Sequence, residues 1–136
     1  MTVENTKSEY RNSKQYRITE IRNPKQQYDL EERTLAFAKR VRSYIRRIAK
    51  NMPNYEISKQ LFRSASSVGA NYIEANEALS KKDFIMRIKI CRKEAKESIY
   101  WLRLIEPDQE EKERKSLLAE GIELMKIFGS IFRKSE

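Results

Sequence analysis

The residues of this chain best placed to do chemistry are cations. Lys39, Arg42, Arg46 and Lys50 step 3, 4 and 4 along the sequence, a spacing that puts them on one face of a helix. Lys82, Lys89, Lys93, Lys96 and Arg103 fall on one stripe of a later helix. Rows of ammonium and guanidinium groups at this spacing bind phosphates and release counterions from a polyanion, with an affinity that falls steeply as salt rises. The same rows also describe an ordinary solvated helix face. The formal charge of +9, from 29 Lys and Arg against 20 Asp and Glu, weighs toward the polyanion reading. Binding to a membrane surface is a weaker use of the same charge, because the apolar side chains of these helices are needed for a core.

Other chemistry is largely excluded by composition. There is no histidine, so no Ser-His-Asp or Cys-His pair, no His-ligated zinc and no imidazole base. One cysteine, Cys91, builds neither a thiolate zinc site nor an iron–sulfur cluster, and it fits a reducing cytoplasm. Three glycines, at 69, 121 and 129, do not make a phosphate-cradling loop. The carboxylate pairs Glu74/Glu77 and Glu94/Glu97 have the i, i+3 spacing of a bundle metal motif but lack its histidine. The reading is of a protein that is not an enzyme and needs no cofactor or metal.

The elements that must position the cations follow from the apolar periodicity. The chain has 136 residues, few glycines and prolines, and abundant Lys, Glu, Arg, Ala and Leu, a helical composition of single-domain length. Residues 1–28 read as a polar basic tail, loosely held or docking on something else, with Tyr10, Tyr16 and Tyr28 among its cations. The opening MTVENTKSEY has no apolar core, which predicts no secretory signal, and no apolar run is long enough to span a bilayer. Residues 29–134 read as four helices broken near Pro53 and Pro107. Helix 1 is expected over about 30–51, capped by Asp29 with Glu32, with a seam of Ala38, Val41, Ile45, Ile48 and Met52. Helix 2 is expected over about 55–79, on Ile57, Leu61, Ala65, Val68, Tyr72, Ala75 and Leu79. Helix 3 is expected over about 81–105, opened by Ser80 with Asp83, on Phe84, Ile88, Cys91, Ala95, Ser98, Leu102 and Ile105. Helix 4 is expected over about 109–132, opened by Asp108 with Glu111, on Leu117, Gly121, Leu124, Phe128 and Ile131. Short links force sequential helices to lie antiparallel, so the expected fold is all-α, an up-down-up-down four-helix bundle.

The positive charge is confined to alternate helices. Residues 29–53 carry seven cations against three carboxylates and residues 80–105 eight against three, whereas 54–79 and 106–136 are slightly acidic. Helices 1 and 3 of such a bundle are diagonal, so one chain does not merge the two stripes. A ring or dimer would line them up from different subunits.

Helix 2 carries a run of small residues, S-A-S-S-V-G-A-N at 64–71. Glycine costs a helix interior about 1 kcal/mol relative to alanine. Gly69 therefore points to a bend or to close approach by another helix. Arg63, Asn71 and Glu74 around this run read as a structural polar network that fixes register. Trp101 reads as flanking the seam or meeting another subunit, and Cys91 as a small buried hydrophobe.

The stretch Q-L-F-R-S-A-S-S-V-G-A-N-Y-I-E-A at 60–75 resembles the signature helix of the 23S rRNA intervening-sequence protein family, which typically reads Q-L-R-R-A-A-x-S-I-P-x-N-I-A-E-G. The next helix agrees, with S-K-K-D-F at 80–84 and R-K-E-A-K-E-S-I-Y-W-L-R-L at 92–104 similar to the family's start and ending. The resemblance covers roughly 30–132, and it departs at Gly69, where many members have a kinking proline. It implies a four-helix bundle with no catalytic residues to carry over. Similar proteins are encoded within insertions in bacterial 23S rRNA genes. Others are accessory proteins of diversity-generating retroelements that form a barrel-like pentamer and associate with nucleic acid and a reverse transcriptase.

The leading expectation is a non-enzymatic, cytoplasmic, oligomeric protein. Its phosphate contacts to RNA or DNA are Lys39, Arg42, Arg46 and Lys50 with Lys82, Lys89, Lys93 and Lys96. The alternative is a protein-interaction scaffold or accessory subunit that does not touch nucleic acid. An enzyme using Glu74, Glu94 or Glu97 would need those carboxylates to converge on a polar pocket.

Overall fold

A computed structural model describes the backbone of residues 24–136 and the side chains of residues 29–136. Four helices run in order: α1 (Pro24–Arg47), α2 (Met52–Asn76), α3 (Lys81–Leu104) and, after a 3-10 turn at Asp108–Glu110, α4 (Glu111–Ser135). Each packs on the next, and α4 closes on α1, leaving α1 diagonal to α3 and α2 to α4. The cross-helix bonds show the antiparallel register directly. Arg33, Arg40 and Arg47 of α1 meet Glu120, Glu113 and Glu110 near or in α4, so one chain descends as the other climbs. Likewise Ser64 meets Ser98 and Asn71 meets Arg87 between α2 and α3. The expected up-down-up-down bundle is the observed one.

Helix ends differ from expectation in instructive ways. The first helix begins at Pro24, inside the segment read as tail, rather than at a cap on Asp29. Proline is at home in a first turn, where its missing N–H is not needed. The tail reading otherwise falls on residues 1–23, which lie outside the described residues. At the other end α1 stops at Arg47, and the Lys50 ammonium donates to the free carbonyls of Ile45 and Arg46 at 3.1 and 3.0 Å. Pro53 likewise lies inside the first turn of α2, behind an Asn51 cap whose side-chain oxygen accepts from the Asn54 N–H. Ser80 caps α3 as expected, accepting from the Asp83 N–H at 3.0 Å. Asp108 does not cap α4. It takes a left-handed conformation at φ 53° in the 3-10 turn, and Glu111 pairs with Arg114 instead.

The expected seams of α3 and α4 are buried along their whole length. That of α1 is rotated: its core face is Leu30, Thr34, Phe37, Val41, Tyr44 and Ile48, while Ala38 and Ile45 are only half-buried and Met52 is exposed. In α2, Ile57 is half-buried and Leu79 is exposed beyond the helix end, its place in the core taken by Ala78. Gly69 marks close approach. A Cβ there would stand 3.0 Å from Thr34 Oγ1, so the glycine lets α1 lie against α2 within an unbroken helix.

Candidate nucleic-acid interface

The cations of α1 divide between two edges. Arg33, Arg40 and Arg47 recur every seven residues and face α4. Arg33 makes a two-bond contact with Glu120 at 2.7 and 2.9 Å, Arg40 reaches Glu113 and Ser116, and Arg47 reaches Glu110. The Glu120 carboxylate raises the Arg33 pKa above its ordinary value, so that edge is neutralised in place. Lys39, Arg42 and Arg46 are exposed on the other edge, and no ion pair among the described residues includes them. Lys50, the fourth member of that row, is turned back to cap its own helix.

On α3, the exposed Lys82, Lys89, Lys93 and Lys96 likewise enter no ion pair among the described residues. Lys89 stands 6.0 Å from the Phe132 ring centroid of α4. With Met86, Ile90 and Arg92, three of these lysines border a shallow depression of about 360 Å³. Tyr100 and Leu104 continue the outer face of α3, both exposed. Because α1 and α3 are diagonal, the two rows stay separate on one chain.

The residues read as one polar network form two. The Arg63 guanidinium bridges to Glu97 and lies 3.6 Å from Glu94, and the Trp101 indole N–H donates to Glu97 at 3.3 Å. Two turns on, Asn71 accepts from Arg87 at 3.0 Å and donates to the Ser67 carbonyl at 2.9 Å. Both networks tie α2 to α3. Glu74 belongs to neither by any described bond and is exposed. Glu94 and Glu97 are thus held against a guanidinium, apart from Glu74. Trp101 is half-buried and meets Tyr100 edge-on at 5.0 Å, and Cys91 is buried in the core.

One concavity was not foreseen. A groove of about 930 Å³ runs between the C-terminal half of α1 and the N-terminal half of α2. Its apolar wall is Ile45 from α1 with Met52, Tyr55 and Phe62, which are 75%, 63% and 42% exposed. Arg42, Arg46 and Lys50 line it from the α1 side and Lys59 from α2, against one carboxylate, Glu56. Tyr55, Lys59 and Phe62 step 4 and 3, the spacing of one helix edge, which is the signal that could have disclosed this wall. Met52 and Ile45, assigned to the seam, belong to the groove instead. Among the described residues no helix is long and apolar enough to cross a membrane.

Comparison with known proteins places this architecture. No match is found among curated proteins. A solved structure, a protein with unknown function from the S23 ribosomal protein family of Bacteroides thetaiotaomicron VPI-5482, is similar at a TM-score of 0.67 and 32% sequence identity. The likeness covers 79% of this chain and 97% of that one. The family model described as 23S rRNA-intervening sequence protein matches residues 26–129. That match reaches from the first turn of α1 into α4, and the chain belongs to the 23S rRNA-intervening sequence protein family.

Proposed function

We propose that this chain is a non-enzymatic, oligomeric four-helix bundle that binds RNA or another nucleic acid through the outer faces of α1 and α3. The observation that carries the reading is the division of charge on α1. Its arginines on the α4 edge are matched by glutamates, whereas Lys39, Arg42 and Arg46 stand exposed outside every described ion pair. Lys82, Lys89, Lys93 and Lys96 add a second unmatched row on α3. Cations left in water beside no carboxylate gain most from phosphate, because nothing must be displaced but counterions. Self-association would set the α1 row of one subunit beside the α3 row of another. Exposed apolar side chains such as Leu35, Ile73, Met86 and Leu104 support such an assembly, of which a pentamer is one form. The single cysteine suits the cytoplasm of a bacterium.

Filter binding of a structured RNA at two salt concentrations tests the reading. With six or more phosphate contacts, affinity falls roughly a thousandfold between 50 and 200 mM salt. Binding that is absent, or indifferent to salt, removes it. A scaffold that grips a protein partner, a reverse transcriptase among the candidates, is the second reading, favoured by the exposed apolar wall of the α1–α2 groove. A pull-down partner that survives nuclease treatment would support it.

A further inference from the structure

We infer that the α1–α2 groove receives unpaired nucleotides, their bases on Tyr55 and Phe62 and their phosphates on Arg42, Arg46 and Lys59. The inference rests on the nucleic-acid reading above and narrows it to single-stranded or looped RNA. Two features coincide here, and the second is one that polyanion binding alone does not need. The first is the concentration of charge: four cations line one concavity against the single carboxylate Glu56, which already lies 3.7 Å from Lys59. The second is what lies between them, two exposed aromatic rings and the exposed Met52. Lys59 Nζ stands 5.2 Å from the Tyr55 ring centroid, so a stacking surface and a phosphate-binding charge are immediate neighbours.

That pairing suits one form of nucleic acid. An A-form duplex keeps its bases stacked inside and presents phosphates and 2′-hydroxyls, so it gains nothing from an apolar wall. An unpaired strand offers a π-face at every base and leaves its phosphates free for the cations, the combination that single-strand-binding surfaces use. The groove also answers the separation of the two basic rows. Three members of the α1 row converge on it with Lys59, so a continuous site exists on one chain before any assembly. The basic segment that precedes α1 in the sequence is a poor occupant, since it carries the same sign of charge as the rim.

Fluorescence anisotropy with the full-length protein decides the matter, using an oligouridine strand and the same strand annealed to oligoadenosine at equal salt. The unpaired strand should bind about tenfold or more tightly than the duplex, within the usual range for base–aromatic stacking. The double variant Tyr55→Ala/Phe62→Ala should lose that preference and leave duplex binding within about twofold. Both rings are exposed, and circular dichroism confirms the variant's fold. Equal affinity for the two forms overturns the inference and leaves the broader reading standing, whereas failure of both to bind overturns both. A preference for the unpaired strand that survives the double substitution also overturns it, since the stacking would then lie elsewhere. Two further results reassign the groove. One is a synthetic helix with leucines opposite glutamates that binds in place of oligouridine and is lost in the double variant, which gives the groove to a protein. The other is dissociation of an oligomer by the same substitutions, which gives it to a second copy.

Discussion

Replacing Asn54 should loosen one whole end of the bundle. This side chain is 1% exposed and joins two loops that are far apart in sequence. Its amide nitrogen donates to the Ala49 carbonyl at 3.2 Å and to the Glu106 carbonyl at 2.9 Å, and its oxygen accepts from the Glu106 N–H at 3.0 Å. Only this orientation of the amide satisfies all three partners. Each bond is worth about 1 kcal/mol net, more where a partner is left buried. Asn54→Ala should therefore cost about 2–3 kcal/mol and lower the melting temperature by about 10 °C. Asn54→Asp is the sharper probe because it keeps the shape. Its second oxygen would face two carbonyl oxygens, and the charge would be buried, so at pH 7 it should be less stable than the alanine variant. Burial and the carbonyls raise the folded-state pKa of that aspartate above its unfolded value of about 3.9. The deficit is then absent below about pH 4 and grows as pH rises through the folded-state value. Urea unfolding followed by circular dichroism, for both variants from about pH 4 to pH 7, isolates the effect, since native carboxylates contribute equally to both. An alanine variant within about 0.5 kcal/mol of the parent, or an Asp–Ala difference flat with pH, would refute the account.

Other consequences are smaller. Gly69→Ala gains up to about 1 kcal/mol of helix propensity but drives a methyl to 3.0 Å from Thr34 Oγ1, an overpacking cost of about 1–3 kcal/mol. The net loss should shrink in a Thr34→Ala background, and equal losses in both backgrounds would exclude the contact as its cause. The Ser64 and Ser98 hydroxyls lie 2.9 Å apart in the core, and each also faces a carbonyl of its own helix. Replacing both by alanine should be nearly neutral to thermal unfolding, because the pair leaves together. Burial pushes the Tyr44 pKa up to about 12, and its hydroxyl has no hydrogen-bond partner among the described residues. The folded state is thus favoured below the ordinary tyrosine value of about 10 and loses that advantage as pH rises toward 12. Tyr44→Phe should remove this part of the alkaline loss in a pH-dependent melting series, and an unchanged slope above pH 10 would contradict it.

How much of this was written in the sequence depends on how many apolar stripes each helix carries. The helix α3 lies against both α2 and α4, and its heptad seam from Phe84 to Ile105 is the buried face without exception. By contrast, α1 carries two apolar stripes that share Val41 and Ile48, one through Leu30, Phe37 and Tyr44 and one through Ala38 and Ile45. Periodicity finds both and does not rank them. Volume does: the aromatic residues Phe37 and Tyr44 fill the core, and Ile45 of the other stripe, set aside, becomes part of a groove wall. Helix starts were misplaced for a related reason. Pro53 reads as a break between helices and Pro24 falls in the segment read as tail, yet a proline is equally content in the first turn.

Charge counting alone does not separate the two edges of α1. Seven cations lie between residues 29 and 53, and nothing local distinguishes Arg40 from Arg42. The distinction comes from α4, whose Glu113 and Glu120 repeat at the same seven-residue interval as Arg33 and Arg40 and so align once the helices run antiparallel. Each of these surface pairs contributes at most about 1 kcal/mol. Their larger consequence is positional: by holding three arginines toward α4 and the turn before it they leave Lys39, Arg42 and Arg46 outside every ion pair among the described residues, with Arg42 and Arg46 on the side where Tyr55 and Phe62 of α2 are exposed. On the proposed reading, the ladder sets which face of α1 a polyanion would meet. Reversing Glu113 and Glu120 to lysine should free that edge, raise duplex RNA binding and blunt the preference for unpaired strands.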